Sequence, residues 1–179
     1  FALMACNMEP EHFNKIIIIN PASLESLAKT PNKHKNALKF LIELPIFGTM
    51  IYNLAFSEKT IADSFSEEYY YKGHMVSSGI IDTYYESAHL DNSRGKYLLS
   101  SIKADYTNIN IVHALKKINN SIYLIGSEGN PERESIIHSY ISCNPSIEAS
   151  WISESKYLPQ LETPEKLLDV LNLYLDPVR

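Results

Sequence analysis

The sequence predicts an α/β chain: a doubly wound, mainly parallel sheet interrupted by a helical insertion. Three observations predict it. In Lys15-Ile16-Ile17-Ile18-Ile19-Asn20 four branched apolar residues follow one another, the pattern of a parallel strand covered by helices on both faces. The last third alternates strand and helix twice, which is the unit of a doubly wound sheet. Between them lies a long, tyrosine-rich stretch with helix-like spacing and no strand pattern.

The elements follow in order. Residues 1–20 open with Phe1-Ala2-Leu3-Met4-Ala5-Cys6, the later turns of an apolar helix; Glu9-Pro10-Glu11 breaks it and the isoleucine strand follows. Residues 21–115 form the helical insertion. There Pro45 marks a break, and Ile46, Phe47, Met50, Ile51, Leu54 and Ala55 recur at i, i+1, i+4, i+5. Ser64-Phe65-Ser66-Glu67 reads as a capping box. Residues 37–56 are the most apolar window, but Lys39, Glu43, Pro45 and Asn53 interrupt it. A buried or substrate-facing helix pair is therefore expected there, and no stable membrane span.

Residues 116–179 close the fold as βαβα. Ser121 to Gly126 is the first strand, and Asn130 caps a helix with Pro131 at its first position and Glu132 and Glu134 in its first turn. Ile136, Ile137, Tyr140 and Ile141 are that helix's apolar face. Ile147 to Ile152 is the second strand. Thr163-Pro164-Glu165 opens the last helix, with Leu167, Leu168, Leu171, Tyr174 and Leu175 as its buried stripe.

Composition narrows the setting. The 179 residues are 45% hydrophobic and 21% charged, a globular balance. Sixteen basic against 21 acidic residues leave no large basic face, so nucleic acid is not an expected partner. Glycine numbers only 6, which argues against phosphate-cradling loops. Cys6 and Cys143, with no Cys-x-x-Cys and no charged-then-apolar leader, point to a reducing cytoplasm. Abundant Lys, Ile, Asn and Tyr point to an A/T-rich, bacterial genome. His12, His34, His74, His113 and His138 lack metal-ligand spacing, and His89-x-Asp91 alone is too little for a site. No cofactor is expected.

In open parallel sheets, ligands bind beyond the carboxyl ends of the strands. Those ends are Asn20-Pro21, Ser127-Glu128-Gly129-Asn130 and Ser153-Glu154-Ser155-Lys156-Tyr157, three loops expected to converge beneath the insertion. Asn20 and, from the insertion, His89 are candidate substrate contacts. The expected partner is a small-molecule substrate. Tyr69-Tyr70-Tyr71, Tyr84 and Tyr85 are read first as ordinary amphipathic packing.

The order of these elements, ending in Leu158-Pro159-Gln160-Leu161-Glu162-Thr163-Pro164-Glu165, resembles the C-terminal part of an α/β-hydrolase. The similarity spans the whole chain, and the final motif is its most specific part. It implies that residues 21–115 form the cap over the substrate pocket, and that Gly126-Ser127-Glu128-Gly129-Asn130-Pro131 is the triad-acid loop. Glu128 is then the candidate acid, since the family's Asp position falls on Gly129 and the common Asp-Pro is here Asn130-Pro131. Tyr157 occupies the position of the family's catalytic His. An imidazole that titrates near ~6.5 exchanges protons at neutral pH, whereas a phenol near ~10 does so poorly. Three alternatives stay open: lost triad chemistry, another base, or a divergent function with Tyr157 as a packed structural residue.

The resemblance also places the nucleophile in a Gly-x-Ser-x-Gly elbow. No serine here has that setting. The nucleophile is thus expected a few residues before Phe1, with the N-terminal half of the same protein as this chain's partner. The low glycine count fits, since the elbow and the oxyanion loop would lie there too. Two functions follow as expectations: esterase- or lipase-like hydrolysis of a small ester or amide through an acyl-enzyme, or a non-catalytic fold member that binds a ligand or partner.

Overall fold

A computed structural model describes residues 1–91 and 94–175. In chain order the elements are α1 (Ala2–Met8), β1 (Lys15–Ile19), α2 (Leu24–Ala28), α3 (Lys33–Glu43), α4 (Phe47–Ala55) and α5 (Glu58–Asp63). Then come α6 (Ser78–His89), α7 (Gly95–Lys103), α8 (Val112–Leu115), β2 (Ser121–Ser127), α9 (Arg133–Cys143), β3 (Glu148–Ile152), α10 (Pro159–Glu162) and α11 (Pro164–Leu175). The chain divides into two compact units, residues 1–28 with 110–179, and residues 29–109.

The first unit is built on a parallel sheet of order β1-β2-β3. Lys15 pairs with Ser121 and Ile19 with Ile125, while Tyr123 pairs with Glu148 and Ser127 with Ile152. β2 is the central strand, and Ile122, Leu124, Ile125, Gly126 and Ser127 are all buried. One side of the core joins Ile125, Ile152 and Leu167, with Ile17, Val170, Leu171 and Tyr174 packed against them. Tyr140, 2% exposed, donates from its phenol to the Ala22 carbonyl at 2.9 Å, and burial pushes its pKa up to about 12. Two asparagines close loops from within. Asn120 donates to the carbonyls of Pro10 and Phe13 before β1, and Asn144 donates to those of Leu115 and Ile118 before β2.

Several local expectations change. Of the four isoleucines only Ile16 is fully buried, Ile17 and Ile18 are half-buried, and Ile19 is exposed. The reason is topological: among the described residues β1 has a strand neighbour on one edge only, whereas full burial of both faces needs flanking elements on both sides. The helix expected to begin after Asn130 begins at Arg133. Asn130 still organises its approach, because its buried Oδ1 accepts from the Glu132 N–H at 3.0 Å across a turn. On α11 the buried stripe uses Val170, while Leu168 and Leu175 are exposed.

Gly126 has a packing reason. It pairs with Trp151 of β3, and a Cβ on it would stand 2.5 Å from Trp151 Cζ3 and 3.0 Å from Ile137 Cδ1. The indole lies over the bare backbone, with the Arg133 guanidinium 5.7 Å from its ring centre. Gly126→Val should displace the indole, red-shift the emission of this single tryptophan, and destabilise the unit by about 1–3 kcal/mol. Fluorescence-detected urea unfolding checks both effects.

The second unit is helical. Asn32, Ser57 and Ser77 cap α3, α5 and α6, each accepting from the backbone N–H three residues on. The expected capping box at Ser64 starts no helix, because residues Ser64–Tyr69 continue α5 as a π-helical run. α4 buries Gly48 and Tyr52 and leaves Ile46, Phe47, Met50 and Leu54 exposed. No single described helix is long and apolar enough to cross a membrane; α3 and α4 reach that length only together, across a 93° bend.

Glu43 joins α3 to α7 by accepting from Lys39 and from the buried Ser100 hydroxyl. Those bonds, Lys39 first, hold its carboxyl below the ordinary range. A depressed carboxylate stabilises the fold above its unfolded pKa and loses that contribution as pH falls through the folded one. Glu43→Gln should therefore flatten the acid limb of stability below about pH 4.3, read as urea midpoints by circular dichroism.

Candidate functional site

The first unit brings the three strand-end loops together. β1 ends at Asn20, which takes a left-handed φ of 46°, a conformation that asparagine tolerates better than most residues. Its N–H continues the ladder to the Ile125 carbonyl at 2.8 Å. Its Oδ1 accepts from the Ser127 N–H at 2.9 Å. Its Nδ2 stands 2.9 Å from Ser127 Oγ, 3.1 Å from the Lys156 carbonyl and 3.2 Å from the Tyr157 carbonyl. Ser155 Oγ donates to Ser127 Oγ at 2.8 Å, and both serines are buried.

The acidic turn is pinned to the loop after β3. The Glu128 N–H donates to the Ile152 carbonyl at 2.9 Å and the Gly129 N–H to the Ser155 carbonyl at 2.8 Å. From α9, the Arg133 guanidinium donates to the carbonyls of Glu128 and Asn130. Glu128 itself is exposed and lines an open cleft of ≈ 350 Å³ with Arg133, Glu134, Trp151 and Ser153. Glu154 is the second left-handed residue here, at φ 57°, and its carboxylate meets Lys166 at 2.8 Å. Tyr157 is 38% exposed, with the Lys156 ammonium 5.8 Å from its ring centre. Lys156 donates its N–H to Glu162 Oε1 at 2.8 Å, tying the loop forward to α10.

Asn20, the Glu128 turn and the Tyr157 loop are thus joined by hydrogen bonds within one unit. His89 belongs to the other unit, as the last residue of α6. Its Nδ1 lies 2.8 Å from the Tyr85 carbonyl, and its ring is 4.4 Å from that of Tyr85 and 6.2 Å from that of Tyr52. Among the described residues no three His, Cys, Asp or Glu side chains are grouped as metal ligands. Ser127 and Ser155 were expected only as members of these loops, without a role, and Arg133 was not expected at all. A serine at a strand end or an arginine on a helix carries no signal until the partners across the sheet are known.

No family model and no curated protein sequence matches the chain. Solved structures do. A structure reported with carboxylesterases of the ammonia-oxidizing thaumarchaeon Nitrososphaera gargenis aligns with a TM-score of 0.62 at 16% identity, over 97% of this chain and 60% of that one. An epoxide hydrolase aligns with a TM-score of 0.69 at 14% identity, over 99% and 64%.

The chain carries part of the α/β-hydrolase fold.

A serine hydrolase from the bacterium Cycloclasticus zankles agrees, with a TM-score of 0.67 at 12% identity over 98% and 59%. This chain therefore spans about 60% of the length of the α/β-hydrolase-fold structures it resembles.

Proposed function

We propose that the whole protein is a serine hydrolase of the α/β-hydrolase fold that cleaves a small-molecule ester or amide through an acyl-enzyme. In that reading this chain supplies the cap, residues 29–109, and the closing part of the core, while the nucleophile belongs to an N-terminal half in the same, cytoplasmic, protein. One observation carries the reading: the Gly129–Ser155 bond and the Asn20 amide hold the Glu128 turn beside the backbone of position 157. A triad acid and base need that proximity.

The chemistry runs through the base position. A serine hydroxyl attacks the substrate carbonyl while the base removes its proton; the C–O or C–N bond breaks as that proton passes to the leaving group. Water then attacks the acyl-enzyme by the same route. With a phenol rather than an imidazole at position 157, turnover is expected to be slow at neutral pH. Incubating the whole protein with p-nitrophenyl acyl esters and with a fluorophosphonate probe tests this. Slow ester cleavage and labelling at one serine are the expected result, both lost when that serine is replaced. Failure of both retires the hydrolase.

Tyr157 itself favours a second reading, in which the pocket is kept to bind a ligand or partner without turnover. The same two assays would then be blank, while small acyl compounds still raise the thermal midpoint of the whole protein.

A further inference from the structure

Nothing in the loop after β3 explains by itself how its tip is held. Ser153 and Glu154 are exposed, Glu154 is in a left-handed conformation, and Tyr157 is 38% exposed. The loop is instead held by partners outside it, among them Lys166 of α11, which donates to Ser153 Oγ at 3.0 Å and to Glu154 Oε2 at 2.8 Å. Glu162 Oε1 accepts from the Lys156 N–H, and the Ser155 carbonyl accepts from the Gly129 N–H. A further hold comes from across the sheet, where the Asn20 amide donates to the Lys156 and Tyr157 carbonyls. Asn20 is separated from Tyr157 by 137 residues of sequence and by the whole of β2 in the sheet.

We propose that Asn20 is a positioning residue: its side chain is the clamp that sets where Tyr157 stands relative to the Glu128 turn. The amide suits this and no near relative replaces it. Its oxygen takes the Ser127 N–H, while its two N–H groups serve Ser127 Oγ and the two carbonyls, so a single planar group ties all three strand ends. The left-handed φ of 46° turns this side chain across the sheet. Beneath it, Ser155 Oγ donates to Ser127 Oγ, which leaves Ser127 as the shared point through which β2 and β3 meet the clamp. The functional weight of the inference rests on position 157 being the base position; the clamp itself rests on geometry alone.

The test separates donor from acceptor. Asn20→Asp keeps an oxygen for the Ser127 N–H and tolerates the same φ, but it has no N–H for the Lys156 and Tyr157 carbonyls. In the whole protein it should speed backbone hydrogen exchange in the segment 153–158 by about tenfold or more, with the β1–β2 ladder unchanged. In 3-fluorotyrosine-labelled protein, the ¹⁹F line of position 157, assigned through Tyr157→Phe, should shift or broaden.

Asn20→Gly also accommodates the φ and removes the whole amide. It should reproduce both effects, and it carries the test if the aspartate variant fails to fold. An unmoved ¹⁹F line, or faster exchange spread evenly over the unit, would overturn the clamp. Neither readout needs turnover, so blank ester and fluorophosphonate assays would retire the hydrolase and leave the clamp standing. An unmoved line in a protein that hydrolyses esters would do the reverse.

Discussion

Tyr157→His should raise hydrolysis of p-nitrophenyl acetate by the whole protein by about 10²–10⁴-fold, the usual worth of a positioned general base. The reason is proton affinity. An imidazole, which ordinarily titrates near ~6.5, accepts and returns the hydroxyl proton at neutral pH, and a phenol is a poor substitute as a general base. Geometry allows the exchange, because Tyr157 is 38% exposed and its backbone carbonyl is held by the Asn20 amide. The measurement is kcat/KM against pH. The variant should acquire an ascending limb near about pH 6.5, which the unsubstituted protein lacks. A rate and profile identical to those of the parent would remove position 157 from the reacting centre. Glu128→Gln in the His background should lower the gained rate again if that carboxylate orients the imidazole.

The largest loss of stability from one polar side chain should come from Asn144→Ala. Asn144 is buried and its amide donates to the carbonyls of Leu115 and Ile118, each at 3.0 Å, while its Oδ1 accepts from the Ser146 N–H at 3.1 Å. The Leu115 carbonyl is the last of α8, and the Ile118 carbonyl belongs to the turn that leads into β2, so no helical bond satisfies either one. Removing the amide strands these groups in an interior that water reaches poorly. At about 1–3 kcal/mol for each buried partner left unpaired, and with partial relaxation, the loss should be about 3 kcal/mol. Urea unfolding would show it as a lower midpoint at unchanged slope. Asn144→Asp should cost no less, because a carboxylate keeps the Ser146 bond but can donate to neither carbonyl.

The fold was legible because its signals are local. The isoleucine run, the Pro164 helix opening and the Leu158–Glu165 motif each act over a few residues, and β1, β2, β3 and α11 lie where those signals put them, while α9 starts at Arg133, after the predicted Pro131. Boundaries slipped where a side chain chose a turn over a helix, as at Asn130, or where a helix changed its winding without stopping, as at Ser64. Burial slipped for β1, since an apolar residue is buried only when something stands beside it.

The site divides along the same line. Glu128 and Tyr157 were visible as residue types in a recognisable frame, and so was the absence of a nucleophile elbow among the 179 residues. Asn20 was visible as the residue after a strand and as a candidate substrate contact, with nothing to show its partners across the sheet. Its amide gained a role when the parallel pairing of β1 with β2, and of β2 with β3, brought the 20, 127 and 157 positions side by side. By itself the sequence determined which segments become strands and helices and which chemistry stands at their ends. The tertiary structure alone decided that Asn20 holds the Tyr157 loop. A hydrogen bond needs its partners within about 3 Å, and here strand pairing brings residues more than a hundred positions apart to that distance.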